Sequence, residues 1–168
     1  GTLGNNTDGF AIRISTNNLQ FGVCDNSTSC FSVVATYDIT SVKDLHWHHI
    51  AGVRSGTNYY LFYDGVLKAS ATGTAYDIDN ANDIRIGSFN DGSSNFDGSI
   101  DEVRISNSAR YTASFTPSRR FAEDANAKML LHLDEGVDVS GVDAFDASSS
   151  ANNGTNNSGT WVTDARSL

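Results

Sequence analysis

The sequence is poor in the residues that most often carry chemistry. Its 168 residues include two cysteines, four histidines, one methionine and a single proline, Pro117. Two cysteines cannot build a zinc site alone, and five residues between Cys24 and Cys30 exclude a C-x-x-C redox pair. The pair flanks a turn-like Asp-Asn-Ser-Thr-Ser stretch between two apolar runs. A disulfide stapling a hairpin end is expected, which implies an oxidising, extracellular setting; two free thiols are the alternative. Basic residues are also few, 11 against 20 acidic ones, for a net charge of −9. That excludes the basic face that nucleic acid requires and disfavours anionic membranes. No run of about 18 apolar residues exists, so no membrane span is expected. Neither G-x-S-x-G nor a Cys–His constellation is present, so nucleophilic catalysis has no candidate. The opening Gly-Thr-Leu-Gly-Asn-Asn-Thr-Asp-Gly, without initiator Met or signal peptide, reads as a processed product or a fragment.

What is present is strand chemistry. Hydrophobic residues at 39% and charged residues at 18% fit a globular protein. Runs rich in β-branched and aromatic residues occur at 10–15, 19–24, 31–37, 46–54, 58–65, 66–72, 83–89 and 96–106. Asn17-Asn18 reads as a tight turn and Asp64-Gly65 as a hairpin turn. Short strands with turn signals every 8–12 residues predict a sandwich or jelly roll. One helical stretch is expected, 108–115; residues 118–127 read as a connector, and 128–135 as a further strand. The rest of the tail is rich in Ser, Asn, Gly and Thr, a composition that suggests flexibility.

Several of these segments form one constellation: Trp47, His48, His49, Ile50 and Ala51; Tyr63, Asp64 and Gly65; Ile86 and Gly87; then Phe96, Gly98, Ile100, Asp101, Glu102, Val103, Arg104 and Ile105. Over about residues 9–116 it resembles the laminin-G-like, concanavalin A-like jelly-roll domains of bacterial and phage surface proteins. The resemblance implies an all-β antiparallel sandwich at a cell surface or virion appendage. The tail from Leu130 resembles the opening segment of such a domain, yet here it comes last. The expected plan is a body at 1–117 lacking its first strands, a connector at 118–127, and a segment at 128–168 that completes its own or a neighbouring module. An uncovered sheet edge is a template for added strands, so exchange between identical subunits is one expectation. Two truncated tandem modules are the other.

Four candidate sites follow. In a strand, His46 and His48 share one face while Trp47 and His49 share the other. A sandwich wall, with Trp47 in a core or interface, is expected over a metal site. Asp101 and Glu102 are adjacent, so a strand would point them apart, and the E-x-D-x-E pattern of glucanases with this fold is absent. No enzyme activity is expected; Asp101 is expected to pair with Arg104 or Arg85, or to bind calcium. For Ca²⁺, Asp101 and Asp134 with Asp146 are the candidate ligands, beside Glu135. For a glycan, Phe89, Asn90, Asp91 and Asn95 share one loop, with Tyr59, Tyr60 and Tyr76 as stacking faces. Asn5, Asn26, Asn153 and Asn156 head N-x-S/T sequons. The expected function is a non-catalytic extracellular adhesion or glycan-binding module, or a filament subunit joined through 128–168.

Overall fold

The computed structural model describes residues 9–24, 33–42, 44–75, 78, 83–88, 94–134, 144–157 and 159–162. Among them the chain is all-β, with one 3-10 turn at Thr40–Val42 and no α-helix. It divides into two compact units. The first holds Gly1–Phe96 and Tyr111–Pro117; the second holds Asp97–Arg110 and Ser118–Leu168. Residues 97–110 thus group with the tail, not with the 1–117 body expected from sequence.

In the first unit, strands β1 (Gly9–Ser15), β2 (Asn18–Cys24) and β3 (Val33–Asp38) form one antiparallel sheet in that order. The β1–β2 turn is Thr16-Asn17, one residue earlier than expected, because Ser15 pairs with Asn18. Strands β4 (Ile50–Ser55), β5 (Asn58–Tyr63) and β6 (Val66–Thr72) form the second sheet. Leu19, Phe21 and Val23 of β2 and Ala35 of β3 pack against Tyr59, Leu61 and Tyr63 of β5. The sheets approach closely where the Phe21 ring lies on Gly52 of β4; a Cβ there would sit 2.3 Å from the ring. The cysteine pair cannot be placed, since Cys30 lies outside the described residues.

Strand β5 is buried on both faces. Phe62, fully buried, points away from the first sheet and meets Tyr111 and Phe115 edge-on at 6.2 and 5.4 Å. Burying such a ring stabilises by roughly 1.5–3 kcal/mol. Tyr111 and Phe115 stack at 3.5 Å. This segment was expected to be helical. A helix would direct the Phe115 N–H to the carbonyl of Tyr111; instead it donates to Gly65 O at 2.8 Å, and Ser114 Oγ accepts from Leu67 N–H. The segment is a strap anchored by its aromatic rings. The Asp64-Gly65 turn beneath it has φ of 51° and 73°, as a type I′ hairpin requires. A Cβ on Gly65 would lie 2.0 Å from Phe115 O.

Three other expected elements differ. Strand β4 starts at Ile50 and not at His46, because Leu45 is left-handed (φ 65°) and Asp44 Oδ1 accepts the His46 N–H in a local turn. Residues 83–88 alternate like a strand but form no ladder among the described residues, and Ile84 and Ile86 are exposed. Of 96–106, only Val103–Ser106 is strand, because Glu102 (φ 52°) breaks the extended backbone.

In the second unit, β7 (Val103–Ser106) pairs antiparallel with β8 (Ala127–Leu131). Val103, Ile105, Met129, Leu131, Leu133 and Ala144 make a small apolar cluster. The connector is fixed by Arg110, which grips Asp124 with two bonds of 2.7 Å. Asp124 also accepts the N–H groups of Asn126 and Ala127, which starts β8. The polar tail is tied by Asp146, 6% exposed. Its carboxylate accepts from Leu130 N–H and Ser148 N–H at 2.8 Å, Ser148 Oγ at 2.9 Å and Asn152 N–H at 2.7 Å. Composition suggested flexibility here; side-chain hydrogen bonds hold residues 144–154 in place.

Candidate functional site

Two histidine–carboxylate clusters stand out, one in each unit. In the first, His48 Nε2 lies 2.8 Å from Asp44 Oδ1, and Nδ1 lies 2.8 Å from Asp64 Oδ2. Carboxylates only accept, so both ring nitrogens carry protons and the ring is an imidazolium. Asp64 Oδ1 also accepts the His49 N–H at 2.9 Å. The His48 ring stacks on Tyr63 at 4.7 Å. Burial works against the charge, but the bonds to Asp44 and Asp64 raise the His48 pKa above its ordinary value. The bond from His48, with the His46 amide, lowers the Asp44 carboxyl to about 2. Burial first, and then the nearby Asp64, Asp44 and Tyr37, push the Tyr63 phenol up to about 12. His46 reaches the same Asp44, so the two histidines do share a side, but Trp47 is 37% exposed and does not fill a core.

In the second unit the ladder sets Glu102 opposite His132, one step beyond the Val103–Leu131 pair. Glu102 Oε1 lies 2.8 Å from His132 Nδ1, and Oε2 accepts the Phe121 N–H at 2.8 Å. The Glu102 side chain is 7% exposed and that of His132 16%. Nδ1 therefore carries the proton, and Nε2 is left with no bond among the described residues. Beside this pair, Arg120 donates to Asp134 at 2.6 Å and lies 3.7 Å from Glu102. The bond from Arg120 lowers the Asp134 pKa against the opposing effect of burial. Asp134, Glu102 and Asp101 all act on the Arg120 charge. Strand alternation would have sent Asp101 and Glu102 to opposite faces; the left-handed Glu102 backbone breaks that alternation, and both acids act electrostatically on Arg120. Such a conformation at a non-glycine residue costs on the order of 1–3 kcal/mol, and Leu133 (φ 56°) repeats it on the facing chain. Arg104 meanwhile lies over the Phe121 ring at 4.3 Å.

Two of the three residues expected to bind calcium, Asp146 and Asp134, are engaged by donors of the protein itself. Both oxygens of Asp146 face N–H and O–H donors, whose positive ends would repel a cation, and Asp134 faces a guanidinium. No group of three or more His, Cys, Asp or Glu side chains among the described residues is arranged to hold a metal. Those donors outweigh the burial that opposes ionisation, and the Asp146 pKa lies below the ordinary carboxylate range.

Of the residues expected to bind a glycan, Tyr59, Tyr60 and Asn95 lie among the described residues. Tyr59 is fully buried and donates its hydroxyl to Thr74 O at 2.8 Å, so it offers no stacking face. Tyr60 lies half-buried on the opposite face of β5, and Asn95 is exposed. Phe89, Asn90, Asp91 and Tyr76 lie outside the described residues, as do Glu135 and the sequons at Asn5 and Asn26. Asn153 Oδ1 accepts the Asp146 N–H, and Asn156 closes a local loop on Gly159, so both remaining sequon amides serve local structure. Sequence reasoning missed Glu102 with His132 and Arg120 with Asp134. It did name Asp101 and Asp134 together as candidates for one site.

A laminin-G-type family model, described as the concanavalin A-like lectin/glucanases superfamily, matches residues 2–114. No curated protein and no solved structure matches the chain. The match covers well over half of the sequence and agrees with the all-β antiparallel architecture. It supports, in general terms, a module that binds carbohydrate or another ligand. No helix among the described residues is long and apolar enough to cross a membrane. By this match and by its fold, the chain belongs to the concanavalin A-like lectin/glucanases superfamily.

Proposed function

We propose that the protein is a non-catalytic glycan-binding module of an extracellular surface or appendage protein, with its ligand site at Glu102, Arg120, His132 and Asp134. The observation that carries this reading is His132, oriented through Nδ1 by a buried glutamate, with no bond at Nε2 among the described residues, beside an exposed Arg–Asp pair. Together these supply an aromatic-nitrogen acceptor, N–H donors and carboxylate acceptors, the groups that sugar hydroxyls need. Domains of this superfamily are typically non-catalytic, and the acids here are committed. Glu102 is held by His132 and by the Phe121 amide, and Asp134 by Arg120, so these two carboxylates are not a free acid–base pair. The test is binding to a slide carrying neutral, acidic and amino oligosaccharides, with His132→Ala alongside. Binding lost in the variant supports the reading; no binding by the parent protein to any glycan sinks it.

A second reading, a subunit assembled through strand exchange by residues 128–168, has its own support. Ile12 and Ile14 of β1 pair with Phe21 and Leu19, so they point to the core side of their sheet, yet they are 45% and 43% exposed. That apolar surface on an edge strand suits an added segment. Sizing of the protein with and without residues 128–168 separates the readings; a monomer in both cases removes the second.

A further inference from the structure

We propose that His48 is the pin of a pH-operated clasp: as an imidazolium it holds residues 44–48 against the β5–β6 turn, and on deprotonation it lets that segment go. The geometry leaves no neutral arrangement that keeps both bonds. Each ring nitrogen faces a carboxylate oxygen at 2.8 Å, so removing one proton sets a nitrogen lone pair against a carboxylate lone pair. One arm of the clasp then repels instead of attracting.

The two arms reach different parts of the chain. Asp44 lies in the segment before β4, four residues from His48; Asp64 sits in the Asp64-Gly65 turn, sixteen residues away. His48 and the His49 amide bond to the Asp64 side chain, and a backbone bond from Asp64 N–H to His49 O holds the end of the segment, so it is residues 44–48 that depend on the His48 ring. The groups facing the ring set when it opens. Asp44 and Asp64 favour the cation, and His46 shares Asp44 at 3.3 Å. Tyr63 lies flat against the ring, and its phenol stays neutral far beyond neutrality. Behind it Tyr37 packs on Tyr63 at 5.8 Å, with the Lys68 ammonium over the Tyr37 ring.

The direction in pH follows. The folded pKa of His48 is raised, so the clasp is fully closed below the ordinary value of 6.5 and opens as pH rises through the higher folded value. On the acid side the Asp44 arm survives until pH falls toward about 2, because that carboxyl is lowered. Release of the segment therefore follows deprotonation of His48, as pH rises through its raised value. Release uncovers Tyr63, while the backbone bonds from Phe115 to Gly65 and from Asp64 to His49 keep the turn itself in place.

The test is a pH titration by NMR that follows the imidazole nitrogens of His48 and the exchange of the His49 amide, corrected for base catalysis. The parent protein is expected to titrate at His48 above 6.5, with His49 exchange rising about tenfold over the same step. Asp64→Asn is expected to lower the His48 pKa, and His48→Gln to abolish the exchange step while the β2 amides stay protected. A His48 pKa at or below 6.5, or His49 exchange flat through the titration, overturns the proposal. Asp44→Asn serves as the second variant should His48→Gln not fold.

Discussion

Two histidines, His48 and His132, are hydrogen-bonded to carboxylates in opposite ways. His48, in the first unit, is closed at both ring nitrogens; His132, in the second, is closed at one and open at the other. The difference separates a structural from a ligand-facing role. A ring saturated by two acids has no atom left for a ligand and acts only on the chain around it. A ring oriented by a single buried acid presents a fixed acceptor to whatever comes near. The units that carry them are also held differently. The first rests on aromatic and aliphatic burial across two sheets. The second has a small apolar cluster and depends on one buried carboxylate, Asp146, and its four donors.

Breaking each unit's own support sharpens that contrast. The largest effect is expected for Phe62→Ala. It removes a ring buried on the strap side of β5 and should cost about 3–5 kcal/mol, read by denaturation and by lost amide protection in β4–β6. Next is Asp146→Ala, which leaves four donors without their acceptor. A loss of roughly 2–4 kcal/mol is expected, seen as faster exchange at Leu130 and Ser148 with β2 unchanged. Acid should mimic that variant. The folded Asp146 pKa is depressed, so its stabilisation is present above the ordinary carboxylate value and is lost as pH falls through the depressed one. Protection at Leu130 should fade there. Smaller again is Gly65→Ala, which strains a turn residue at φ 73° and pushes on Phe115 O; roughly 1–3 kcal/mol is expected from thermal unfolding.

Much of the fold was legible because period-two alternation and turn residues are local signals. The runs at 10–15, 19–24 and 66–72 and the Asp64-Gly65 turn could be read from adjacent residues. What failed depended on partners distant in sequence. Residues 83–88 alternate like a strand but find no ladder partner among the described residues. The 108–115 stretch looked helical until Phe115 took the carbonyl of Gly65, fifty residues earlier. Tyr59 looked like a binding face because an aromatic on a strand gives no sign of which side is buried. The Glu102–His132 pair is thirty residues apart and exists only through the β7–β8 register. That Asp101 and Asp134 belong to one neighbourhood was foreseeable. The counter-charges were not, because Arg120 lies in a segment that reads only as a connector.

The most direct test of the contrast between the two rings is an NMR titration with an oligosaccharide that the slide screen shows to bind, observing the imidazole nitrogens of His48 and His132 in one sample. Nε2 of His132 is expected to shift with saturation while both nitrogens of His48 stay still. A shift confined to His48, or binding that moves neither ring, would contradict it.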